Sequence, residues 1–314
     1  NSSALFTSGN NAVGLFAQSI GGSGGAGGNS LTGQLSIGGS AAVNAGATIG
    51  GKGGAGATAG NVTINNSGAS ITTTKDQSSA IVAQSIGGSG GSGGSALTVS
   101  IAASGGTPVG AQATVGGKGG SGGTSGNVNL TNSANISTGS VVTETIKDTD
   151  VSITYLGGIY SYGIFAQSVG GGGGSGGNVL QANLSGGADV AVTAGASIGG
   201  GAGSGNTAGS VTVKNTGSFI TTLGDYATGI LAQSIGGGGG AGGSSLSLSG
   251  AGGSKAVSVG VNLGGKGGEG GRASDVTVDN SAAITTGTTF EDKLYGNYSY
   301  GIYAQSVGGG GGSG

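Results

Sequence analysis

Apolar and polar residues alternate in short blocks along this chain. Asn61-Val-Thr-Ile64, Asn127-Val-Asn-Leu130, Ser210-Val-Thr-Val213 and Asp275-Val-Thr-Val278 carry an aliphatic residue at every second position. That period, rich in β-branched residues, predicts strands. A turn of Asn with Ser or Thr and Gly or Ala follows, as in Asn66-Ser67-Gly68 and Asn215-Thr216-Gly217. An Ile-Thr strand comes next, for example Ile71-Thr72-Thr73. A further strand holds the tetrad Ala-Gln-Ser-Ile or Ala-Gln-Ser-Val, at Leu15 to Ile20, Ile81 to Ile86, Ile164 to Val169, Ile230 to Ile235 and Ile302 to Val307. There Phe165, Gln167 and Val169 point one way and Ile164, Ala166 and Ser168 the other. Both faces read as buried. Leu97-Thr98-Val99-Ser100-Ile101 also alternates. No segment shows a helical period with caps, so the reading is all-β.

Successive tetrads lie sixty-six, eighty-three, sixty-six and seventy-two residues apart. Self-similarity of this kind marks a stacked repeat. Residues 1–314 read as one array, with units at about 17–82, 83–165, 166–231 and 232–303 and a partial unit from 304. The chain opens inside one repeat and stops inside a glycine run, the expectation for a piece of a longer protein. Gln18, Gln84, Gln167, Gln233 and Gln305 would stack as an amide ladder, the reading preferred over a Gln ligand site.

Glycine is not scattered. Nine runs read Gly-Gly-x-Gly-Gly-x-Gly. Five follow the tetrads, from Gly21, Gly87, Gly170, Gly236 and Gly308; four lie between, from Gly50, Gly116, Gly199 and Gly264. With slots numbered from the first glycine, slots 1, 2, 4 and 5 are Gly everywhere but Ala202. Ser, Ala, Lys and Glu are confined to slots 3 and 6. A flexible linker would scatter its serines. A left-handed helix with three residues per turn puts every third residue on one face. The runs therefore read as polyglycine-II helices packed backbone to backbone, through Gly87, Gly88, Gly90, Gly91, Gly170, Gly171, Gly173, Gly174, Gly236, Gly237, Gly239 and Gly240. The expected fold is a repetitive β-solenoid-like stack combined with these helices. Slots 3 and 6 of the first-type runs hold only Ser, Ala or Gly, as at Ser89, whereas the second type admits Lys52, Lys118, Lys266 and Glu269. The first type is expected to be the more buried.

Composition sharpens this picture. Gly supplies 84 of 314 residues, and the formal net charge is only -2. Low charge argues against a disordered polar chain. A single proline, Pro108, excludes collagen. Without Cys there is no disulfide or thiolate site. No basic patch points to nucleic acid, and no apolar run is long enough to span a membrane as a helix. Gly-Gly-Lys-Gly-Gly lacks the Ser/Thr of a phosphate loop. No acid recurs in every unit, and His is absent, so the chain reads as a non-enzyme without a cofactor.

Between the Ile-Thr strand and the next tetrad the chain runs short, long, short, long. The long versions, Ser140 to Tyr162 and Gly287 to Tyr300, hold Glu144, Lys147, Asp148, Asp150, Glu291, Asp292 and Lys293. Charge and variable length predict loops outside the stack. Asp148/Asp150 and Glu291/Asp292 read as solubilising pairs, with a loose calcium contact as the alternative. Tyr155, Tyr160, Tyr162, Tyr295, Tyr298 and Tyr300 are candidate surface contacts, or covers for the sheet edge beneath them.

The phrases from Ser161 to Gly177 and from Thr228 to Gly243 resemble the glycine-rich repeats of large autotransporter-type surface proteins of proteobacteria. The resemblance covers nearly the whole chain. It implies a secreted, repetitive, often adhesive passenger region at the bacterial cell surface, and it carries no catalytic residues. The leading expectation is the repeat shaft of an extracellular filament or adhesin, meeting copies or continuing repeats of itself end to end. Alternatives are a glycan- or cell-binding module through the tyrosine loops, and an ice-binding protein using ranks such as Thr72/Thr74 and Thr221/Thr222.

Overall fold

The computed structural model describes residues 1–145 and 152–314, and every regular element among them is a strand. Lys147, Asp148 and Asp150 lie outside the described residues.

Five strand types build each unit. In the second unit they are Ile81–Ile86, Ala96–Ser104, Thr107–Val115, Val128–Asn132 and Asn135–Thr138. Each type pairs with the same type in the next unit, parallel and in register, so five ladders run through the stack. In the tetrad ladder Leu15, Ile81, Ile164, Ile230 and Ile302 stand in line. Sequence offsets of 66, 83, 66 and 72 residues are therefore one structural step each. This is a β-solenoid-like stack of parallel sheets.

Three ladders enclose the dry core. The tetrad strands contribute Ile81, Ile164 and Ile230; the Val-Thr-Val type contributes Val128, Val211 and Val213; the Ile-Thr type contributes Ile71, Ile136 and Ile220. The tetrad does not bury both faces. Ile164, Ala166 and Ser168 point inward and are fully buried, while Phe165, Gln167 and Val169 on the other face are half-buried. The reason is geometric: the core lies on one side only.

At the Val-strand corner Asn66, Asn132, Asn215 and Asn280 form a buried amide chain. Each Nδ2 donates to the next Oδ1, at 2.6, 2.7 and 2.7 Å. Asn132 and Asn280 also donate to the carbonyls of Ala134 and Ala282, which closes the turn. The Asn of each predicted turn is thus an interior ladder residue.

The two nine-residue strands form an arm. Ala96–Ser104 and Thr107–Val115 are joined by Gly105 and Gly106, and their ladders pack face to face. The polarity of this pair is inverted. Thr98, Ser100, Thr114, Gln181 and Asn183 lie between the sheets, fully buried, while Leu180, Leu184 and Ile198 face outward. Hydrogen bonds across the gap satisfy part of this polar interior: Thr114 Oγ1 donates to Thr98 Oγ1 at 2.8 Å, Ser197 Oγ to Gln181 Oε1 at 2.6 Å, and Asn183 Nδ2 to the Ala194 carbonyl at 2.9 Å, while Gln112 Oε1 and Asn183 Oδ1 are buried without a partner.

The long connections do not lie wholly outside the stack. Val141–Thr145 with Ser152–Leu156, and Thr288–Phe290 with Lys293–Tyr295, form antiparallel hairpins. Their bases are Gly139 with Gly158 and Gly287 with Gly296, all at positive φ. A Cβ on Gly158 or Gly296 would sit 2.7 or 2.4 Å from the opposite Cα, so only glycine lets the two chains meet there. Beyond those bases the chain rejoins the stack, where Tyr160 N–H donates to the Asp225 carbonyl. Glu291 and Asp292 occupy the two central turn positions at φ 50° and 59°, the mirror-image turn that suits a two-residue hairpin.

Replacing Asn132 with Ala would leave the Asn66 amide and the Asn215 carbonyl buried without partners. A destabilisation of about 2–4 kcal/mol is expected, against about 1 kcal/mol for Gln167→Ala on the half-buried face. Denaturant unfolding of the two variants checks this ordering.

Candidate functional site: the glycine lattice and its ladders

Each unit sends one glycine run from the solenoid body to the arm and another back. The amides of these runs follow a rule of three. In the run from Gly87, the slot-1, 4 and 7 amides (Gly87, Gly90, Gly93) donate at 2.8 Å to Val169, Gly172 and Ser175 of the next unit's outgoing run. The slot-2, 5 and 8 amides (Gly88, Gly91, Gly94) donate at 2.9, 2.8 and 2.7 Å to Ala57, Gly54 and Gly51, on the returning run of the previous unit. Returning runs do the same: Gly116, Gly119 and Gly122 reach the next returning run, and Gly117, Gly120 and Gly123 reach the outgoing run of their own unit. Among the described residues, no slot-3 or slot-6 amide of the runs donates to another backbone group.

Steric space follows the same rule. A Cβ on Gly173, in slot 4, would lie 2.0 Å from the Gly203 carbonyl oxygen, and one on Gly174, in slot 5, 2.0 Å from that of Gly91. On Gly172, in slot 3, the nearest atom is the Gly238 oxygen at 3.6 Å. Side chains therefore fit one face of each run and collide on the other two. Ala202 is the exception in slot 4; its amide keeps the bond of that slot, donating to the Lys266 carbonyl at 2.8 Å.

The expected difference in burial between the two run types does not hold. Ser89, Ser92 and Ser175 on the outgoing runs are exposed, as Lys118 is on the returning run. The runs form two layers laid against each other, and each layer turns its own slots 3 and 6 to water. Serine and alanine on one layer and lysine on the other reflect different surface chemistry, not different depth. On the returning layer Lys266 and Glu269 face each other at 3.8 Å, both fully in solvent.

The tetrad anchors this lattice to the body. Gln18, Gln84, Gln167, Gln233 and Gln305 are joined in a continuous chain, Nε2 to Oε1, at 3.1, 3.2, 3.0 and 3.1 Å. The serine beside each glutamine has a second task. Ser85 Oγ accepts from Gly126 N–H at 2.8 Å and donates to the Gly60 carbonyl at 2.9 Å, tying together the ends of two successive returning runs. Ser168 and Ser234 repeat this with Gly209 and Gly126, and with Ser274 and Gly209. Sequence reasoning singled out the glutamine and passed over the serine. The signal was its invariance within the five tetrads.

The tyrosines divide. Tyr160, Tyr226 and Tyr298 stack in a column, with ring centroids 4.9 and 5.0 Å apart and planes within 17° and 11°. All three sit at φ 55–56°, and Gln77 and Asn11 hold the same left-handed backbone in the earlier layers. Tyr226 lies on a short connection and escaped the sequence reading, which looked only at the long ones. Asp76 and Asp225, one residue before this position on the short connections, each use Oδ1 to accept two backbone N–H groups from the following long connection, at 2.8–2.9 Å. Tyr162 and Tyr300 tilt against Phe165 and Tyr303. The column, Tyr162, Tyr300 and Tyr303 line an open groove of about 280 Å³ together with Thr228, Leu231 and Gln233. Within the column the Tyr226 ring is covered on both faces, while Tyr298 and Tyr300 stay exposed.

Tyr155 and Tyr295 stand apart on the hairpins. Tyr155 donates its hydroxyl to Glu144 at 3.0 Å, and Glu144 pairs with Lys75 of the preceding unit. The hydrogen bond from Lys75 holds the Glu144 carboxyl below its ordinary range, and the same bond raises the lysine. Lys293 Nζ lies 4.9 Å over the Tyr295 ring. Burial of the Tyr226 phenol pushes its pKa up. Among the described residues no cluster of acidic side chains suited to a metal ion forms.

Comparison with known protein families, with curated proteins and with solved structures finds no match to this chain. The residues themselves must carry the functional argument. Gly173→Val should force the two layers apart and cost more than about 3 kcal/mol, whereas Gly172→Ser should stay within about 0.5 kcal/mol of the parent. Thermal unfolding of both variants tests the rule of three, and equal losses would defeat it.

Proposed function

We propose that this chain is the structural repeat shaft of an extracellular bacterial filament or surface adhesin, stiffened by polyglycine-II helices. The helical reading is supported by the rule of three. In a left-handed helix of three residues per turn, successive amides point in three directions about the axis. Two directions here meet neighbouring runs and the third meets water, as the bonded and free slots require. A strand would give a period of two instead.

The observation that carries the shaft reading is at the ends of the stack. Inside it, a Cβ on Gly88, Gly91 or Gly94 would lie 2.0 Å from a carbonyl oxygen of the layer before. In the first layer the same slots are Gly22, Gly25 and Gly28, and nothing lies within 4 Å of them. Glycine stands there in open space, where any residue would fit, as though another glycine layer belonged against it. The end surfaces repeat the interior surfaces. Further layers, from continuing repeats or from other copies, would add end to end. Repeats of this kind are stabilised by contact with like neighbours, so each added layer makes the contacts the interior already makes.

Secretion and the bacterial surface rest on the resemblance to autotransporter-type repeats. No helix among the described residues is long and apolar enough to cross a membrane. The glycan-binding reading ranks lower, since the column covers both faces of the Tyr226 ring and one face each of Tyr160 and Tyr298, leaving less ring surface for a sugar. The ice-binding reading also ranks lower, because Thr222 is fully buried and the half-exposed Thr72 and Thr221 share their row with Phe6 and Ser137, which breaks a uniform threonine rank.

Gly25→Val tests the shaft. It should leave folding unchanged, since the position is open, but stop elongation seen by electron microscopy at least tenfold. Gly91→Val, the interior equivalent, should instead prevent folding. A Gly25→Val chain that elongates like the parent would refute end-to-end growth.

A further inference from the structure

The arm is apolar on the outside. Its first sheet carries Leu31, Leu97, Leu180 and Leu246 in one axial row, in register through all four units. Beside it stand Leu35, Ile101 and Leu184. Nine large aliphatic side chains on this face are between 39% and 76% exposed. The second sheet is different in relief. Val43, Val109, Val192 and Val257 make one ridge; Ile49, Val115, Ile198 and Leu263 make another. Through three layers two rows of alanine, including Ala111, Ala113, Ala194 and Ala196, run between the ridges and leave a trough of about 500 Å³, which Val259 and Val261 close in the fourth layer. The arm's charges stand by its turns, at Asp189 and Lys255, and none lies along either face.

We propose that the trough of the second arm sheet is the docking surface for the leucine row of the first arm sheet of a second copy, so that shafts associate side by side. Three arguments fix the occupant. Exposed apolar patches on soluble proteins rarely exceed a few hundred Å², and a stable interface needs about 800 Å² from each partner. Nine aliphatic side chains at these exposures supply an area of that order. Secondly, the two faces fit: one offers a ridge of large side chains, the other a furrow of alanines between ridges. Both repeat at the spacing of an in-register parallel ladder, about 4.8 Å, so a match at one layer recurs through the three layers in which the trough is open. Thirdly, the alternative apolar solvent is disfavoured. Charge in lipid is costly, and Asp189 and Lys255 stand at the arm's turns beside both faces. Charge-free faces also give no purchase to a polyanion. Because the contact joins unlike faces, it is heterologous and extends sideways without closing.

Small-angle scattering and electron microscopy separate the two directions of growth. End-to-end addition lengthens the particle at constant cross-section; lateral docking raises the cross-sectional mass. The test therefore stands even if the shaft reading fails. The parent chain should widen with concentration. Ala194→Lys blocks the trough and Leu180→Glu blocks the ridge; both positions face outward, so circular dichroism and melting should match the parent. Each variant alone should lose lateral pairs about tenfold. Mixing the two should restore them, because the first variant keeps its ridge and the second its trough. A parent chain of constant width at all concentrations would overturn the proposal. So would loss in Leu180→Glu with none in Ala194→Lys, which would mean that like faces pair. Flotation with phosphatidylcholine–phosphatidylglycerol vesicles that both substitutions abolish, without lateral pairing in the parent, would assign the face to lipid and overturn it as well.

Discussion

Backbone-to-backbone hydrogen bonding between glycine runs is the constraint on which this structure depends. Glycine loses more conformational entropy on ordering than any other residue, about 0.5–1 kcal/mol beyond alanine. With 84 glycines in 314 residues, the small dry core of the solenoid body is a weak counterweight. The compensation comes from carbonyl and amide groups that meet directly because no side chain stands between them. Inside the stack a notional Cβ on a slot-4 or slot-5 glycine, as at Gly173 or Gly174, would lie 2.0 Å from a neighbouring carbonyl oxygen, and Ala202 is the one residue other than glycine in these slots. Composition, period and packing are one fact seen at three levels.

The rest of the unit serves that lattice. The parallel ladders of the body and the arm set a common axial step at both ends of each run, so that runs meet in register. Tetrad serines fasten the body end: Ser85 links Gly126 to Gly60 across two layers. The buried asparagines and the half-buried glutamines are further in-register chains of amides, and each rewards identical neighbours. A repeat of this kind is stabilised by contact with its own kind above and below. A shaft is the function that such energetics support without further machinery.

Much of this could be read from the residues, and the misses are instructive. The period of three predicted which glycines admit side chains, and alternation found the strands. Alternation could not say which face of the arm is inside. The alternation of Leu97-Thr98-Val99-Ser100-Ile101 marks a strand without marking its inner face, and Thr98 and Ser100 are the buried pair. The rule that apolar faces pack together presumes a core to pack into, and a two-sheet arm joined to glycine runs has none beyond what it makes for itself. Asn132 looked like a turn residue because turn chemistry and ladder chemistry use the same amide. Tyr226 was missed because its partners, Tyr160 and Tyr298, are remote in sequence and adjacent only across layers. Ser89 was placed too deep because small size was taken for burial, whereas both layers of runs have a wet face.

The central claim is that two of every three amides in a run are bonded to two different neighbours and the third is free. Residue-resolved hydrogen exchange measures this directly. Along Gly87 to Gly94, the amides of Gly87, Gly88, Gly90, Gly91, Gly93 and Gly94 should be protected, and those of Ser89 and Ser92 should exchange fast, with the same pattern from Gly170 to Gly177. Uniformly fast exchange would make the runs linkers, and protection at every second residue would make them strands. Either result would contradict the account.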